Sequence, residues 1–386
     1  MVSSVYYFDY AAATPVDERV FAAMKPYFSE HFYNPSSPYA QAVEVRREYE
    51  TAKQMLAHTI GATGDELVMT AGATESINLA IGGFSGHKIT TAAEHASVLR
   101  VIEADGGTIL PVNKHGQVTA GQVDSAIQED TELVSVALAN HEIGSIQPVR
   151  EIAAMVATKR AERLSRGNRT PLVLHCDASQ GFGLIDIHVG RLGVDLLTLN
   201  AAKIYGPKQV GALWIRPGII ITPRIVGGGQ EAGLRSGTEN VAGTIGFAEA
   251  ARIAADKRAG ETKRLGALRD TLERTLTSRF STAILSGHPR HRLANFCHIS
   301  FPGIDAERLV FILEMDNVLV ATGSACAANS GTRSSVLTAI GLADDVADGS
   351  IRLTLGRGTT DASVAAATER IIAAVEREAT RTGVQL

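Results

Sequence analysis

The amino-acid sequence predicts an α/β protein with a large domain built on a mostly parallel sheet and a smaller α+β domain. Short apolar runs typical of buried strands recur between residues 67 and 216, and helical patterns separate several of them. Strands that alternate with helices form parallel sheets covered on both faces. After about residue 240 the pattern changes to a long helix followed by two strand-like runs. We therefore expect a large domain at 14–255 and a small domain formed by 1–13 and 256–386.

The individual elements are predicted from the periodicity of apolar residues and from the residues that typically cap or end helices. The strand-like runs of the large domain are LVMTAG (67–72), KITTAA (88–93), TILPV (108–112), LVSVALA (133–139), LVLHCDA (172–178), DLLTLN (195–200) and VGALWIR (210–216). Those of the small domain are ANFCHISF (294–301) and SIRLTLG (350–356). Helices are predicted at 43–61, 151–164, 241–276 and 361–381, and Asp361 is the expected N-cap of the last one.

The composition is that of an ordinary soluble globular protein. Of the 386 residues, 45% are hydrophobic and 20% are charged, and the net charge of -4 gives no electrostatic reason to expect a nucleic-acid or membrane partner. No uninterrupted apolar stretch is long enough to span a bilayer. The start MVSSVYYFDY lacks the basic and apolar segments of a secretory signal, so a cytoplasmic location is expected.

The three cysteines, Cys176, Cys297 and Cys326, are odd in number and far apart in the sequence. This pattern indicates neither a disulfide framework nor a metal site. Cys176 and Cys297 lie in apolar strand-like runs and are expected in the core. Cys326 lies among small polar residues in TGSACAANSGT (322–332), which favours an exposed loop thiol over an incidental surface cysteine.

Lys203 lies directly after an apolar strand, in the stretch LTLNAAKIYGPKQVG (197–211). Ligands of open α/β sheets gather beyond the carboxyl ends of the strands. A lysine there, among small residues, can form a Schiff base with an aldehyde cofactor or substrate. The alternative is an ammonium group that simply reaches solvent, and this stretch taken by itself favours the alternative.

The stretch TAGATES (70–76) ends another strand and opens a helix. Its small residues allow backbone N–H groups and the Thr74 hydroxyl to approach an anion at the helix N-terminus. The alternative is an ordinary strand–helix turn that Thr74 caps.

Two further strand ends carry polar side chains. Asp177 ends an almost wholly apolar strand, so its carboxylate needs a partner, either a pyridinium nitrogen or a helix N-terminus. Gln180 follows three residues later, and His95 follows another strand, where it either handles protons or stacks on a ring, or is simply packed. An amine, an acid, an anion cradle and an imidazole at neighbouring strand ends are together typical of a pyridoxal phosphate site.

Arg352 is a charge inside the apolar strand SIRLTLG. It is able to hold a substrate carboxylate by a two-pronged hydrogen bond, or to pair with an internal acid.

The sequence resembles the cysteine desulfurases, pyridoxal phosphate enzymes of the aminotransferase fold type I. The matching stretches run in the family's order across nearly the whole chain. They are YFDYAAATPV (7–16), YNPSSP (33–38), TAGATESINLAI (70–81), EHASVL (94–99), NHEIGSIQPV (140–149), HCDASQ (175–180), KIYGPKQVGALWIR (203–216), GGGQEAGLRSGTEN (227–240), TGSACAA (322–328) and SIRLTLGRGTT (350–360).

The resemblance implies pyridoxal 5'-phosphate as the cofactor. Lys203 would bind it covalently through its amine, and Asp177 would pair with the ring nitrogen. Gln180 would contact the ring hydroxyl. His95 would stack on the ring and take part in proton transfer with Lys203.

The resemblance also implies a homodimer that acts on L-cysteine. Ala73 and Thr74 would bind the cofactor phosphate, and Thr238 would reach the phosphate of the neighbouring subunit. Arg352 would bind the carboxylate of L-cysteine, and Asn34 would lie near the substrate. The products would be L-alanine and a sulfur atom.

Cys326 would take that sulfur as a persulfide and pass it to an acceptor or scaffold protein, for iron–sulfur cluster assembly or tRNA thiolation. The loop after Cys326 is long, as in the desulfurases that hand sulfur to separate proteins. The interpretations left open are a selenocysteine lyase or another lyase or aminotransferase of the same fold, and a non-catalytic scaffold.

Three cofactor-site positions depart from the family's pattern. Ala202 stands where the family usually has histidine, Asn200 where it usually has serine, and His141 where it usually has asparagine. We hypothesise that His141 fills some of the space that Ala202 leaves near the cofactor and supplies a polar group there.

Overall fold

The computed structural model describes residues 5–322 and 333–385. The strands are Tyr6–Tyr7 (β1), Leu67–Thr70 (β2), His87–Thr91 (β3), Thr108–Leu110 (β4), Thr131–Ala137 (β5), Val173–Asp177 (β6), Leu196–Asn200 (β7), Gly211–Ile215 (β8), Ile284–Leu285 (β9), Phe296–Ser300 (β10), Val318–Leu319 (β11), Ala321–Thr322 (β12) and Ser350–Thr354 (β13). The α-helices are Glu18–Met24 (α1), Ala40–His58 (α2), Ala73–Gly82 (α3), Ala96–Ala104 (α4), Ala120–Ala126 (α5), Val149–Ser165 (α6), Val189–Leu192 (α7), Val241–Arg279 (α8), Ala306–Met315 (α9), Ser335–Ala339 (α10), Asp344–Asp348 (α11) and Asp361–Thr382 (α12).

The larger sheet, within the described residues, has seven strands in the order β2-β8-β7-β6-β5-β3-β4. Strand β8 is antiparallel to its neighbours β2 and β7, and the other pairs are parallel. Every strand predicted for the large domain is present, which confirms the α/β class. Because β2, β3, β5, β6 and β7 run in one direction, their carboxyl ends lie along the same edge of the sheet. The candidate site lies at this edge.

The smaller sheet is antiparallel, with the order β12-β13-β10-β9. Its longest strands, β10 and β13, are the two predicted from the sequence. The two-residue strands β1, β9, β11 and β12 escape sequence analysis because two residues show no periodicity. Strand β1 pairs in parallel with β11, which brings the start of the chain beside the smaller sheet.

Helix α8 covers 39 residues and confirms the long helix predicted after residue 240. It passes without a break through residue 255, where we expect the large domain to end. The strands of the larger sheet all precede this position, and those of the smaller sheet follow it. The domain boundary itself remains a prediction.

The N-cap of α12 differs from the prediction. Thr360 rather than Asp361 is the N-cap, because its hydroxyl accepts a hydrogen bond from Ser363 N at 3.1 Å and the Ser363 hydroxyl accepts one from Thr360 N at 2.9 Å. This capping box satisfies two amide donors at once, so the cap lies one residue earlier than expected while the helix itself begins at Asp361 as predicted.

Cys176 and Cys297 are fully buried in β6 and β10, as predicted for core cysteines. Burial raises the pKa of both thiols. Across residues 5–322 and 333–385, no helix is both long enough and apolar enough to cross a membrane. The same residues contain no group of histidine, cysteine and carboxylate side chains suited to a metal ion.

Candidate active site

Lys203 lies at the carboxyl end of β7, in a 3-10 turn that follows the strand directly. Asn200 caps this turn, because its Oδ1 accepts a hydrogen bond from Ala202 N at 3.1 Å. Lys203 Nζ donates to the carbonyl oxygens of Ala11 and Ala12 at 2.7 and 2.6 Å. The amine is therefore held by two carbonyl oxygens of the N-terminal segment while its side chain stays half-buried, and the Schiff-base role of Lys203 stays a prediction.

Asp177 ends β6, the parallel neighbour of β7. Its Oδ1 accepts hydrogen bonds from the backbone N–H and the hydroxyl of Ser179 at 2.9 and 2.6 Å. The carboxylate therefore caps a turn, and the alternative of a helix N-cap is wrong. Gln180 lies in the same turn, and its Nε2 donates at 3.1 Å to Ala11 O, the carbonyl that also accepts from Lys203. The structure thus brings Gln180 and Lys203 to one acceptor.

The turn between β2 and α3 is built from small residues. Gly72 is the N-cap of α3 and has a φ of 127°, which residues with a side chain rarely adopt. Gly211 on β8 packs against it, since an added Cβ would come within 2.6 Å of the Gly72 carbonyl carbon. Ala73 and Thr74 begin α3, where N–H groups lack an intrahelical acceptor. Because Gly72 is the N-cap, the alternative of a turn capped by Thr74 is wrong.

His95 is the N-cap of α4, and its Nδ1 accepts a hydrogen bond from Ser97 N at 3.1 Å. A ring nitrogen that accepts from an N–H carries no proton, so the neutral ring has its proton on Nε2. Burial lowers the pKa of His95 to about 4, and the imidazole of His141 and the charge of Lys203 also lower it while Asp177 raises it. At neutral pH His95 is therefore uncharged, with its lone pair on Nδ1 engaged by Ser97.

Glu94 is a buried acid at the same edge of the sheet. Its Oε1 accepts hydrogen bonds from Ala137 N at 2.9 Å and Thr91 Oγ1 at 3.1 Å, and its Oε2 has no partner in the described part of the chain. Burial raises the pKa of Glu94 to about 8, and the charge of Asp177 adds to the rise. Glu94 is therefore mostly protonated at neutral pH.

Arg352, on β13, is predicted to hold either a substrate carboxylate or an internal acid. Its Nη2 donates to Asp9 Oδ1 at 2.7 Å, and its Nη1 donates to His141 O at 2.9 Å. Asp9 is thus an internal acid that pairs with it. The ring of His141 also contacts that of His95, with the centroids 5.0 Å apart. His141 therefore connects Arg352 to the residues at the edge of the larger sheet.

A chain of buried hydrogen bonds joins three strands to α3. His175 on β6 bonds through Nδ1 to Ser135 Oγ at 2.8 Å and through Nε2 to Thr198 Oγ1 at 2.9 Å. Thr198 Oγ1 bonds in turn to Ser76 Oγ at 2.8 Å, in the first half of α3. Burial lowers the pKa of His175 to about 3, so the ring is neutral. This chain fixes α3, and hence the turn at its N-terminus, relative to the sheet.

Comparison with known proteins shows the family to which these residues belong. The model of the aminotransferase class-V family matches residues 6–366. The chain is 40% identical over 383 residues to cysteine desulfurase IscS 1 of Archaeoglobus fulgidus. The alignment covers 96% of this chain and 97% of that protein. It is 41% identical over 366 residues to cysteine desulfurase IscS of Dictyoglomus turgidum, covering 92% and 90%. The chain belongs to the cysteine desulfurases of the class-V aminotransferase family.

Solved structures agree with this assignment. A NifS-like protein superposes on the desulfurase with a TM-score of 0.88 at 32% identity, covering 97% of this chain and 100% of that one. The NifS-like protein from Rickettsia africae ESF-5 gives a TM-score of 0.86 at 29% identity, covering 97% and 100%. A structure of SspA in complex with cysteine gives 0.76 at 32% identity, covering 91% and 98%. The predicted fold type and enzyme class are confirmed.

Three predicted site residues of the desulfurase are not joined to the sheet edge by any of these contacts. Asn34 is exposed, and its Oδ1 accepts a hydrogen bond from Ser36 N at 2.9 Å. Thr238 is exposed. The same loop is anchored at Glu231, which is buried and accepts a hydrogen bond from Lys53 Nζ at 3.1 Å. Cys326 lies outside the described residues. The roles of these three residues therefore remain predictions.

Three residues of the site were not selected from the sequence. Asp9 lies in the matching stretch YFDYAAATPV, but nothing in that stretch indicates that it pairs with Arg352. Glu94 immediately precedes His95, and a carboxylate so close to the end of a strand could have been recognised from the sequence as a candidate site residue. Gly211 lies inside a strand, where glycine often marks the close approach of another backbone.

Proposed function

We propose that this cysteine desulfurase converts L-cysteine to L-alanine with pyridoxal 5'-phosphate as its cofactor, and carries the sulfur as a persulfide on Cys326. The observation that carries the proposal is that Asp177 and Lys203 lie at the carboxyl ends of two adjacent parallel strands. An amine, a carboxylate and a helix N-terminus at one sheet edge match the aldehyde, ring nitrogen and phosphate of this cofactor. The related SspA structure is described as a complex with cysteine, which supports the choice of substrate.

The residues present fit the cofactor. The glycines at 72 and 211 keep side chains away from the start of α3, where Ala73 and Thr74 would bind the phosphate. Lys203 would form the covalent link, and Asp177 would pair with the ring nitrogen. When bound, pyridoxal phosphate accepts the electrons released at the α-carbon of an amino acid.

The remaining cofactor contacts follow from the same edge of the sheet. Gln180 would contact the ring hydroxyl, and His95 would stack on the ring face. Asn200 and His141 would lie near the cofactor, Asn200 as the cap of the turn that carries Lys203.

Lys203 is the residue that moves the α-proton of the substrate. His95 is a weaker base, because its Nδ1 lone pair already accepts from Ser97 N and burial lowers its pKa to about 4. Arg352 binds the substrate carboxylate, and Asn34 lies near the bound amino acid. The Cys326 thiolate attacks the substrate sulfur, so an S–S bond forms while the Cβ–S bond breaks. The carbon skeleton leaves as L-alanine after protonation.

The protein acts as a cytoplasmic homodimer and passes its persulfide sulfur to an acceptor or scaffold protein. The exposed position of Thr238 is compatible with a contact to the phosphate of the neighbouring subunit. Large exposed apolar side chains near the start of the chain favour a subunit interface. They are Phe21, Phe28, Phe32, Tyr39, Val43 and Met55. The sulfur serves iron–sulfur cluster assembly or tRNA thiolation, and nucleic acid is not bound directly.

The test is to incubate the pure holoenzyme with L-cysteine and to measure L-alanine and sulfide, beside Cys326→Ser and the control Cys176→Ala. We expect Cys326→Ser to lose sulfur transfer and to keep the cofactor absorbance, while Cys176→Ala stays active because its thiol is buried. An aminotransferase would keep its turnover without Cys326, and a non-catalytic scaffold would show no cofactor colour. Either result contradicts the proposal.

A further inference from the structure

The guanidinium of Arg352 is held at two of its three nitrogens. Nη2 donates to Asp9 Oδ1 at 2.7 Å and Nη1 donates to His141 O at 2.9 Å. The third nitrogen, Nε, is buried and has no hydrogen-bond partner in the described part of the chain. An unsatisfied buried donor on a charged group is costly, so this nitrogen is suited to a ligand that supplies an oxygen. A carboxylate is the natural complement of an arginine donor edge.

Asp9 is fixed by backbone contacts to the same strand. The backbone at Asp9 bridges in parallel to Thr354, two residues from Arg352 on β13. Thr354 N donates to Phe8 O at 2.7 Å, and Ala11 N donates to Thr354 Oγ1 at 2.9 Å. The carboxylate therefore approaches Arg352 from a rigid position, and a short side chain is sufficient to reach Nη2.

The same N-terminal segment also contacts the amine site. Lys203 Nζ donates to Ala11 O and Ala12 O, two and three residues after Asp9. One short piece of chain thus touches both the group that binds the cofactor and the group that binds the substrate carboxylate. An α-amino acid has its amine and carboxylate a fixed distance apart, so the relative position of Lys203 and Arg352 matters for binding.

We propose that Asp9 is a positioning residue for the substrate-carboxylate site. It fixes the Arg352 guanidinium through Nη2, while His141 O fixes Nη1, and Nε–H is left for the carboxylate of the amino acid. This inference rests on the proposed function of Arg352. The competing role for Asp9 is that of a counter-charge, since a buried arginine without one is destabilising. The two roles differ in what they require, because positioning depends on where the oxygen lies and a counter-charge depends only on the charge.

Two substitutions separate these roles. Asp9→Asn removes the charge but keeps an oxygen that accepts from Nη2 at the same place. Asp9→Glu keeps the charge but moves the oxygens by one methylene. Asp17→Asn is the matched control, because Asp17 is a nearby carboxylate that pairs with other arginines, Arg19 at 2.7 Å and Arg357 at 3.2 Å.

The readout is the spectral titration of each holoenzyme with L-alanine and with ethylamine, which lacks the carboxylate. KM and kcat for L-cysteine are measured in parallel. We expect Asp9→Glu to weaken L-alanine binding and raise KM by about tenfold or more, because the longer side chain displaces the guanidinium and misplaced binding groups are costly. Asp9→Asn changes the L-alanine affinity and the KM for L-cysteine by less than about threefold, because the hydrogen bond to Nη2 is retained. Ethylamine binding stays unchanged in both variants, and Asp17→Asn behaves as the wild type.

The opposite order, a large effect of Asp9→Asn and none of Asp9→Glu, would show a counter-charge and overturn the proposal. Equal weakening of ethylamine and L-alanine overturns it as well, because the effect would then not involve the carboxylate. A wild type that binds L-alanine without turning over L-cysteine contradicts the proposed function, while the comparison of the two ligands still decides the role of Asp9. A wild type that binds neither ligand contradicts both.

Discussion

The imidazole rings of His95 and His141 meet edge to face, with centroids 5.0 Å apart and ring planes at 77°. His141 Nε2 also lies 3.5 Å from Glu142 Oε1, and its carbonyl oxygen accepts from Arg352. His141 thus stands between the ring proposed to stack on the cofactor and the arginine proposed to bind the substrate. Its position supports the view that an imidazole here affects cofactor binding.

We expect the double variant Ala202→His with His141→Asn to bind pyridoxal phosphate better than its single variants predict. The reason is that each single change alters the number of imidazoles near the cofactor, whereas the double change preserves it. The measurement is the cofactor dissociation constant of the wild type, both single variants and the double variant, taken from absorbance. Free-energy changes that add within about 0.5 kcal/mol would rule out the compensation.

Gly211→Ala is expected to lower cofactor affinity strongly. The new Cβ would lie 2.6 Å from the carbonyl carbon of Gly72, so the turn proposed to hold the phosphate must shift. Gly260→Ala, in α8, is the control, because an added Cβ there meets no atom within 4 Å in the described structure. That change should stabilise the protein by about 0.5–1 kcal/mol and leave the cofactor bound. Cofactor absorbance and thermal unfolding are measured on both, and unchanged affinity in Gly211→Ala would contradict the role of the turn.

Glu94→Gln is expected to flatten the pH dependence of stability between about pH 4.5 and 8. The native pKa of about 8 lies above the ordinary value of 4.5, so the folded state keeps a proton that the unfolded state loses. This contribution to stability is complete below pH 4.5 and is lost as the pH rises towards 8. The measurement is the free energy of unfolding from about pH 5 to 9 by denaturant titration. Equal slopes for wild type and variant would show that Glu94 is ionised in the folded protein.

His175→Gln is expected to flatten the pH dependence on the acid side. The native pKa of about 3 lies below the ordinary value of 6.5, so between these values the unfolded state binds a proton that the folded state does not bind. The contribution of the neutral His175 to the free energy of unfolding is therefore fully present above pH 6.5 and is lost as the pH falls towards 3. His95 and His298, with native pKa values of about 4, contribute in the same range, so the slope decreases but does not vanish. An unchanged slope between about pH 4 and 6.5 would contradict a neutral buried His175.

The strands and the long helix were predictable because their signals are local. Seven apolar runs became the seven strands of the larger sheet, since buried parallel strands are apolar along their whole length. Lys203, Asp177, His95 and Thr74 were selectable for a related reason. Each lies at or just after the carboxyl end of a strand, and parallel strands bring these ends to one edge.

The remaining features depend on contacts between residues that are distant in the sequence. Asp9 meets Arg352 across 343 positions, and Gly72 meets Gly211 only because β8 inserts antiparallel between β2 and β7. The protonation of Glu94 likewise depends on its burial beside Asp177, not on its neighbours in the chain. The sequence by itself determined which groups are available and at which strand ends they lie, because periodicity and strand direction are local properties. Only the tertiary structure decided their partners, orientations and charge states, because strand order and burial are set by the packing of the whole chain.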